Sequence, residues 1–140
     1  MQQVERSSIE ELSKKKKAFL NIAKQLATLS TYGHYRHGAV LVNGGKIMSS
    51  SYNKNRFNAF GYRFRKHGTG IATMHAELGC VFGMPRNITE GSTIYVVRLG
   101  QLDDLRMSKP CDMCHGILEH CGVKKVVYSL DNEFVESYRF

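Results

Sequence analysis

The chain has 140 residues, of which 42% are hydrophobic and 23% are charged, and this balance excludes a disordered or fibrous protein. The length suffices for one domain with one core, so we expect residues 1–140 to form a single domain. No apolar stretch approaches the ~20 residues that a membrane span needs, and the first residues lack the apolar region of a secretory signal. We therefore expect a cytoplasmic protein with no membrane partner.

A net charge of +8 suits a partner that carries phosphate, either a nucleotide or a nucleic acid. Basic and aromatic residues alternate most densely in the segment 53–68. Aromatic rings stack on bases and cations contact phosphates, so this segment is a candidate for binding substrate or single-stranded nucleic acid. A loop that lies partly in the core and partly on the surface explains the pattern equally well. The candidate contacts are Arg56, Phe57, Arg63 and Arg65.

The first half of the chain predicts a helix followed by a hairpin. Apolar residues recur at helical spacing over 8–29, and Ser8 with Glu11 fits a capping box at the start of that helix. Two strands are predicted within 38–52, joined at a turn over 43–45, whose Asn-Gly-Gly sequence tolerates positive φ angles.

The middle of the chain predicts a long loop, a short helix and a buried strand. Residues 53–73 form an irregular, glycine-containing segment whose length indicates function or mobility. A short helix should begin near Met74 and run towards Phe82, where Gly83 ends it. The apolar, β-branched run 92–99 is typical of a central strand.

The last part predicts a second loop over 100–109 and a helix from Pro110 to about Cys121, with the proline in its first turn. A strand follows over 124–129, and the tail 131–140 is either a short helix or an edge strand. The element order predicts an α/β fold, a single-domain three-layer α/β/α sandwich around a central mixed sheet. Two of its helices would begin at the candidate metal ligands.

Two cysteines stand three positions apart at the start of the last helix, Cys111 and Cys114. Free amides and the positive end of the helix dipole favour thiolates there, and two thiolates make half of a tetrahedral zinc site. Upstream, His75 can supply an imidazole nitrogen, and Glu77 can reach past the metal. Three protein ligands leave a position for water, whose pKa zinc lowers towards ~7, and Glu77 could then move its proton to the leaving group.

A closed, structural zinc site is the alternative, and it needs a fourth ligand. The spacing makes each candidate unsuitable: Cys80 and Cys121 lie too far along their helices, and His115 should point away from the site. A redox pair is also disfavoured, because it leaves the histidine and the glutamate without a role. The fourth-ligand candidates are Cys80, His115, His120 and Cys121.

The remaining histidines are interpreted as structural or exposed. His34 and His37 precede the first strand of the hairpin, where turn or surface roles are favoured over catalysis. His67 lies in the long loop and is interpreted as an exposed loop residue.

The run His75-Ala76-Glu77, followed by Pro110-Cys111-x-x-Cys114, resembles the signature of the cytidine and deoxycytidylate deaminase superfamily. The resemblance implies Zn²⁺ as cofactor, with His75, Cys111 and Cys114 as its ligands and Glu77 as the proton shuttle. It also implies that the backbone amide of Ala76 meets the carbonyl of the base.

The resemblance extends over most of the chain. Residues 38–53 are similar to the paired strands that precede the zinc helix in the deoxycytidylate branch, with Ser51 in place of the glycine in a Gly-Tyr-Asn triplet. By that similarity Asn53 would touch the sugar or the base. Superfamily members of this size commonly self-associate, so a homo-oligomer is expected.

The expected function is zinc-dependent hydrolytic deamination of a cytosine base in a free nucleoside or nucleotide, with release of ammonia. One alternative is a cytosine or adenine deaminase that acts on single-stranded DNA or RNA, which the positive charge favours. The other is a nucleic-acid-binding protein without enzymatic activity that keeps zinc only for folding.

Overall fold

The computed structural model of the protein describes residues 3–30, 35–57 and 73–140, apart from the side chains of 55–57 and 73–74. None of the helices in these ranges is long and apolar enough to cross a membrane. The elements in chain order are β1 (Glu5–Ser8), a 3-10 turn (Ile9–Glu11), α1 (Lys14–Ala27), β2 (Arg36–Asn43), β3 (Lys46–Tyr52), β4 (Lys54–Phe57), β5 (Thr73–Met74), α2 (Ala76–Val81), α3 (Arg86–Thr89), β6 (Thr93–Leu99), β7 (Leu105–Arg106), α4 (Asp112–His120), β8 (Lys125–Ser129) and β9 (Phe134–Arg139).

The central sheet has seven strands and is mixed, as predicted. Its order is β1-β9-β8-β6-β2-β3, and the short β7 pairs with the end of β6. The pair β6–β8 is parallel, because the chain returns through α4, while the other pairs are antiparallel. Strands β4 and β5 form a separate two-stranded sheet. The predicted α/β class is therefore confirmed.

Alternation along the strands builds one core on each face of the sheet. In β6, Ile94 and Val96 belong to the cluster under α2 and α4, whereas Tyr95 and Val97 belong to the cluster under α1. Both faces of a central strand are thus buried, which explains why β6 reads as a nearly continuous apolar run. The three predicted layers are α1, the sheet, and α2 with α4.

The hairpin follows the prediction. Asn43 pairs with Lys46, so Gly44 and Gly45 form a two-residue turn with φ angles of 60° and 75°. Glycine adopts these left-handed values without the steric cost that a Cβ atom brings.

The start of the chain differs from the prediction. Helix α1 begins at Lys14, and its cap is Ser13, whose Oγ accepts a hydrogen bond from the Lys16 amide at 3.2 Å. Ser8 instead ends strand β1 and pairs with Phe134. The predicted capping box of Ser8 and Glu11 is wrong, because pairing with β9 outweighs the local helical pattern of these residues.

The tail, predicted as a short helix or an edge strand, forms a strand that does not lie at the edge of the sheet. Strand β9 lies between β8 and β1, so both of its sides are paired. Pro110 also departs from the prediction. The cap of α4 is Cys111, so the proline precedes the helix rather than occupying its first turn.

Gly38 provides a test of how closely α1 packs on the sheet. A Cβ atom built on Gly38 collides with the carbonyl oxygen of Ala23 and lies 2.8 Å from the amide nitrogen of Ala27, both backbone atoms of α1. We expect Gly38→Ala to lower the free energy of unfolding by about 3 kcal/mol, because the helix must move as a unit. Urea denaturation measures this change.

Gly83→Ala is the matched control. Gly83 has open space around it and a φ of 77°. Alanine there should lower the free energy of unfolding only through the cost of the left-handed backbone, about 1 kcal/mol. Equal losses of stability in the two variants would contradict the close packing of α1 at Gly38.

Candidate metal centre

Two helix starts meet on the same face of the sheet and bring three potential ligands together. His75 caps α2, Cys111 caps α4, and Cys114 lies in the first turn of α4. Helices α2 and α4 pack against each other and share one core cluster. Since a helix start carries unpaired amides and partial positive charge, this junction favours anionic ligands.

The three ligand atoms have the separations that a tetrahedral metal requires. His75 Nδ1 lies 3.4 Å from Cys114 Sγ and 3.8 Å from Cys111 Sγ, and all three atoms lie within 4.8 Å of one another. Tetrahedral zinc, with bonds of about 2.3 Å to sulfur and 2.0 Å to nitrogen, places such atoms roughly 3.5 Å apart. Two thiolates and one imidazole also form a donor set that zinc prefers. The residues present therefore fit a zinc ion.

The cysteine pair holds negative charge easily even without metal. A hydrogen bond from Cys114, aided by His75, lowers the pKa of the Cys111 thiol to about 4. The same bond, together with complete burial and the Glu77 carboxylate, raises the pKa of Cys114 well above its ordinary value. The two sulfurs thus share one proton, which a metal ion would displace.

Glu77 lies beside the cluster and is almost completely buried, with 4% of its surface exposed. It is in the first turn of α2, two residues after His75. Its carboxylate interacts with the Cys114 thiol and contributes to raising the pKa of both Cys114 and Tyr138. The carboxylate therefore borders the same space as the three ligand atoms.

Within the described ranges, no fourth cysteine, histidine or acidic ligand joins this cluster. His115 Nδ1 lies 3.2 Å from the hydroxyl of Tyr138, and Cys80 is fully buried in the core. Cys121 and His120 border a cavity of about 240 Å³ at the far end of α4. The four candidates for a fourth ligand that the sequence offers therefore lie outside the cluster of His75, Cys111 and Cys114.

The two residues expected to contact the substrate, Asn53 and Ala76, are both buried. Asn53 is 7% exposed, and its side chain donates to the Tyr35 carbonyl at 2.5 Å and accepts from the His37 amide at 2.9 Å. It therefore joins the end of β3 to the start of β2. Ala76 is buried as the first residue of α2.

The candidate phosphate and base contacts cannot be placed in the site. The backbone of Arg56 and Phe57 forms part of β4, but their side chains are not among those that the structure describes. Arg63 and Arg65 lie entirely outside the described residues. Their roles stay predictions.

A model of the cytidine and deoxycytidylate deaminase zinc-binding region matches residues 13–130. The chain belongs to this family. Zn²⁺ is accordingly its cofactor, and the residues that can hold it are His75, Cys111 and Cys114. No curated protein matches the chain in sequence.

Solved structures of deaminase-type proteins share the fold. The dCMP deaminase of cyanophage S-TIM5 in its apo form is 20% identical with a TM-score of 0.56, over 85% of this chain and 86% of its own. The same enzyme in complex with dCMP and dUMP gives 19% identity and a TM-score of 0.54, over 84% and 83% of the two chains. Acinetobacter baumannii RibD, form 1, is 21% identical with a TM-score of 0.54 over 84% of this chain. This chain spans only 28% of the RibD chain.

Sequence reasoning missed two residues on the face of the sheet that carries the metal centre of this deaminase-family protein. His37, interpreted as a turn or surface residue, lies on β2, and burial lowers its pKa while the Glu77 carboxylate raises it. Arg98 was not singled out at all. The available signal was a single charge within the otherwise apolar run of β6.

Zinc content tests the ligand set. We expect His75→Ala, Cys111→Ala and Cys114→Ala each to reduce bound zinc from about one ion per chain to a small fraction, because two ligands hold the ion far more weakly than three. Elemental analysis of the purified variants measures this. Cys121→Ala is the control and should keep its zinc. An unchanged zinc content in Cys114→Ala would contradict the assignment.

Alkylation of the zinc-free protein tests the electrostatics of the cysteine pair. With its pKa at about 4, the Cys111 thiol is ionised throughout the range from about pH 5 to pH 7, so its reaction rate with iodoacetamide should be nearly constant there. Burial raises the pKa of Cys121, so its rate should rise about tenfold per pH unit. Mass spectrometry of the labelled peptides separates the two rates. A Cys111 rate that climbs in parallel with that of Cys121 would show an unperturbed thiol.

Proposed function

We propose that this protein is a zinc-dependent hydrolase that deaminates a cytosine base in a free nucleoside or nucleotide and releases ammonia. The observation that carries the proposal is the juxtaposition of one buried carboxylate, Glu77, with the three-ligand cluster of His75, Cys111 and Cys114. Water and a cytosine base give a uracil base and ammonia, so the reaction needs a nucleophile from water and a group that carries its proton.

The chain's residues divide these tasks between them. His75, Cys111 and Cys114 hold the zinc ion, which supplies a Lewis acid that activates water at neutral pH when it is bound. Glu77 accepts a proton from the attacking water at its carboxylate and delivers it to the departing amine. The burial of Glu77 excludes bulk solvent, so the proton it carries is passed to the substrate rather than lost.

The start of α2 supports binding of the base. The amide of Ala76 is the first of the helix and has no acceptor four residues earlier in the same helix. A base carbonyl can accept a hydrogen bond from such an amide. Asn53 holds the end of β3 beside the start of β2 and, on this proposal, uses its second amide hydrogen towards the sugar or base.

A free nucleoside or nucleotide is favoured over a polymer by the fold comparison. The cyanophage dCMP deaminase, which covers most of this chain, was solved in complex with dCMP and dUMP. The net charge of +8 favours the rival substrate, single-stranded DNA or RNA. Steeply salt-dependent binding of oligonucleotides would support the rival. The expected homo-oligomer stays a prediction that sedimentation analysis can check.

Ammonia release identifies the substrate. The zinc-loaded protein should release ammonia from cytidine, deoxycytidine or their monophosphates, and not from adenosine or guanine. Single-stranded DNA and RNA belong in the same assay, with chromatographic detection of uracil. Zinc binding without ammonia from any of these compounds would refute the proposed activity and favour a structural zinc.

Glu77→Gln tests the proton carrier. The amide cannot accept and deliver a proton, so we expect turnover to fall by about 10²–10⁴-fold while zinc content stays at the wild-type level. Steady-state ammonia assays and elemental analysis measure the two quantities.

Glu119→Gln is the matched control, since Glu119 lies on the exposed side of α4 and should tolerate the same substitution. Full turnover in Glu77→Gln would rule out Glu77 as the proton carrier.

A further inference from the structure

Three side chains form a row across neighbouring strands, on the face of the sheet that carries the metal centre. His37 of β2 pairs with Arg98 of β6, and Arg98 pairs with Arg106 of β7. Residues directly opposite each other in antiparallel strands point to the same face. The neighbouring pair, Leu99 and Leu105, packs on the α1 side, so the row lies on the opposite face, the one under α2 and α4.

This row sets two positive charges directly opposite each other, an arrangement that destabilises a sheet unless an anion neutralises it. Arg106 has such an anion, because its Nε lies 2.7 Å from Oδ2 of Asp104. Arg98 does not: within the described ranges, no carboxylate makes an ion pair with it.

The contacts of Arg98 orient its guanidinium without neutralising it. Its Nη1 donates a long hydrogen bond of 3.5 Å to the Met107 carbonyl, and its guanidinium carbon lies 5.4 Å from the centre of the Tyr35 ring. The Nε atom is buried, and within the described ranges neither it nor the buried Oδ1 of Asp104 has a hydrogen-bond partner. A buried donor without an acceptor is costly, so an acceptor is expected when the protein works.

A cavity at this position can supply the space for that acceptor. It has a volume of about 300 Å³ and is lined by Arg98, Gly100, Gln101, Leu102 and Arg106. A Cβ atom on Gly100 would collide with both side chains of the neighbouring ion pair, since it would lie 2.6 Å from Asp104 Oδ1 and 2.7 Å from Arg106 Nε. The lining combines two guanidinium groups with Gln101, Leu102 and a glycine backbone, and the Asp104 carboxylate beside it neutralises one of the two charges, so one positive charge remains for a small oxyanion.

His37 connects the cavity to the metal centre. His37 pairs with Arg98 across the strands, and burial lowers the pKa of its imidazole while the charge of Glu77 raises it, so the metal-site carboxylate acts on this histidine. Two strand spacings separate β2 from β7, roughly 10 Å. That distance is comparable to the span of a nucleotide from its base to its phosphate.

We propose that Arg98 and Arg106 bind the phosphate group of the substrate, which makes the natural substrate a nucleotide rather than a nucleoside. This inference rests on the proposed deamination, because the base must sit beside Glu77 while the phosphate reaches the arginines. The loop between β6 and α4, which carries β7, supplies most of the residues that line the cavity. Arg98 uses its unpaired Nε, and Arg106 adds a second guanidinium while it keeps its contact with Asp104.

Binding measurements in the zinc-loaded Glu77→Gln variant test this without turnover. Isothermal titration with deoxycytidine 5′-monophosphate and with deoxycytidine gives the contribution of the phosphate. We expect the monophosphate to bind at least tenfold more tightly, and Arg98→Gln added to this background to remove most of that difference. Deoxycytidine should bind equally well with and without the Arg98 substitution. Arg98→Lys should restore only part of the difference, since it keeps the charge but loses the forked donors.

Lys46→Gln is the matched control, because it removes one positive charge at the hairpin turn, far along the sheet from the cavity. Equal loss of monophosphate binding in Lys46→Gln and Arg98→Gln would show a general charge effect and overturn the proposal. Equal affinity for nucleoside and monophosphate in the parent variant would overturn it as well.

Two further probes separate this inference from the proposed activity. Inorganic phosphate should compete with the monophosphate, and less effectively in Arg98→Gln. If the wild-type protein releases no ammonia while this Arg98-dependent competition persists, the activity is wrong and the phosphate site stands. If a single-stranded oligonucleotide binds through Arg98 more tightly than the monophosphate does, the phosphate belongs to a polymer and the mononucleotide assignment is wrong.

Discussion

The structure depends on one arrangement, the meeting of two helix starts above the central strands of the sheet. The ligands lie where free backbone amides favour anionic groups. His75 occupies the N-cap position of α2, and the two cysteines occupy the N-cap position and the first turn of α4. The sheet sets the distance between them, because β6 and β8 are parallel and the connection between them must cross the same face through α4. The backbone topology thus brings the two helix starts together, and the side chains of His75, Cys111 and Cys114 supply the ligand atoms.

The buried carboxylate of Glu77 acts on several groups around this arrangement. The charge of Glu77 acts on Cys114 and Cys80 in the helix layer and on Tyr138 and His37 in the sheet. Buried charge is costly unless it is compensated, and in this site the helix start and a metal ion offer that compensation. On the same face, Arg98 and Arg106 add positive charge, opposite in sign to the carboxylate of Glu77.

Local patterns predicted the parts of the fold that local physics decides. The glycine turn of the hairpin, the apolar run of β6 and the cysteine spacing at the start of α4 each contain their structural cause within a few residues. The predicted helix began too early because Ile9 and Leu12 continue the apolar spacing of α1, yet residues 5–8 pair with β9, which is distant in sequence. The tail was ambiguous for the same reason. Arg98 and His37 could not be recognised as neighbours, because only the register of β2 with β6 places them side by side.

Strand β9 connects the metal centre to the edge of the sheet. Tyr138 on this strand packs against His115, the residue that follows the second cysteine, and its ring also lies near Tyr128 and Phe140. Opening of this strand, which is hydrogen-bonded on both sides, would remove the packing of Tyr138 against the first turn of α4. Retention of the metal ion should then depend on how often that strand opens, so the lifetime of the holoprotein would be governed by local breathing rather than by global unfolding.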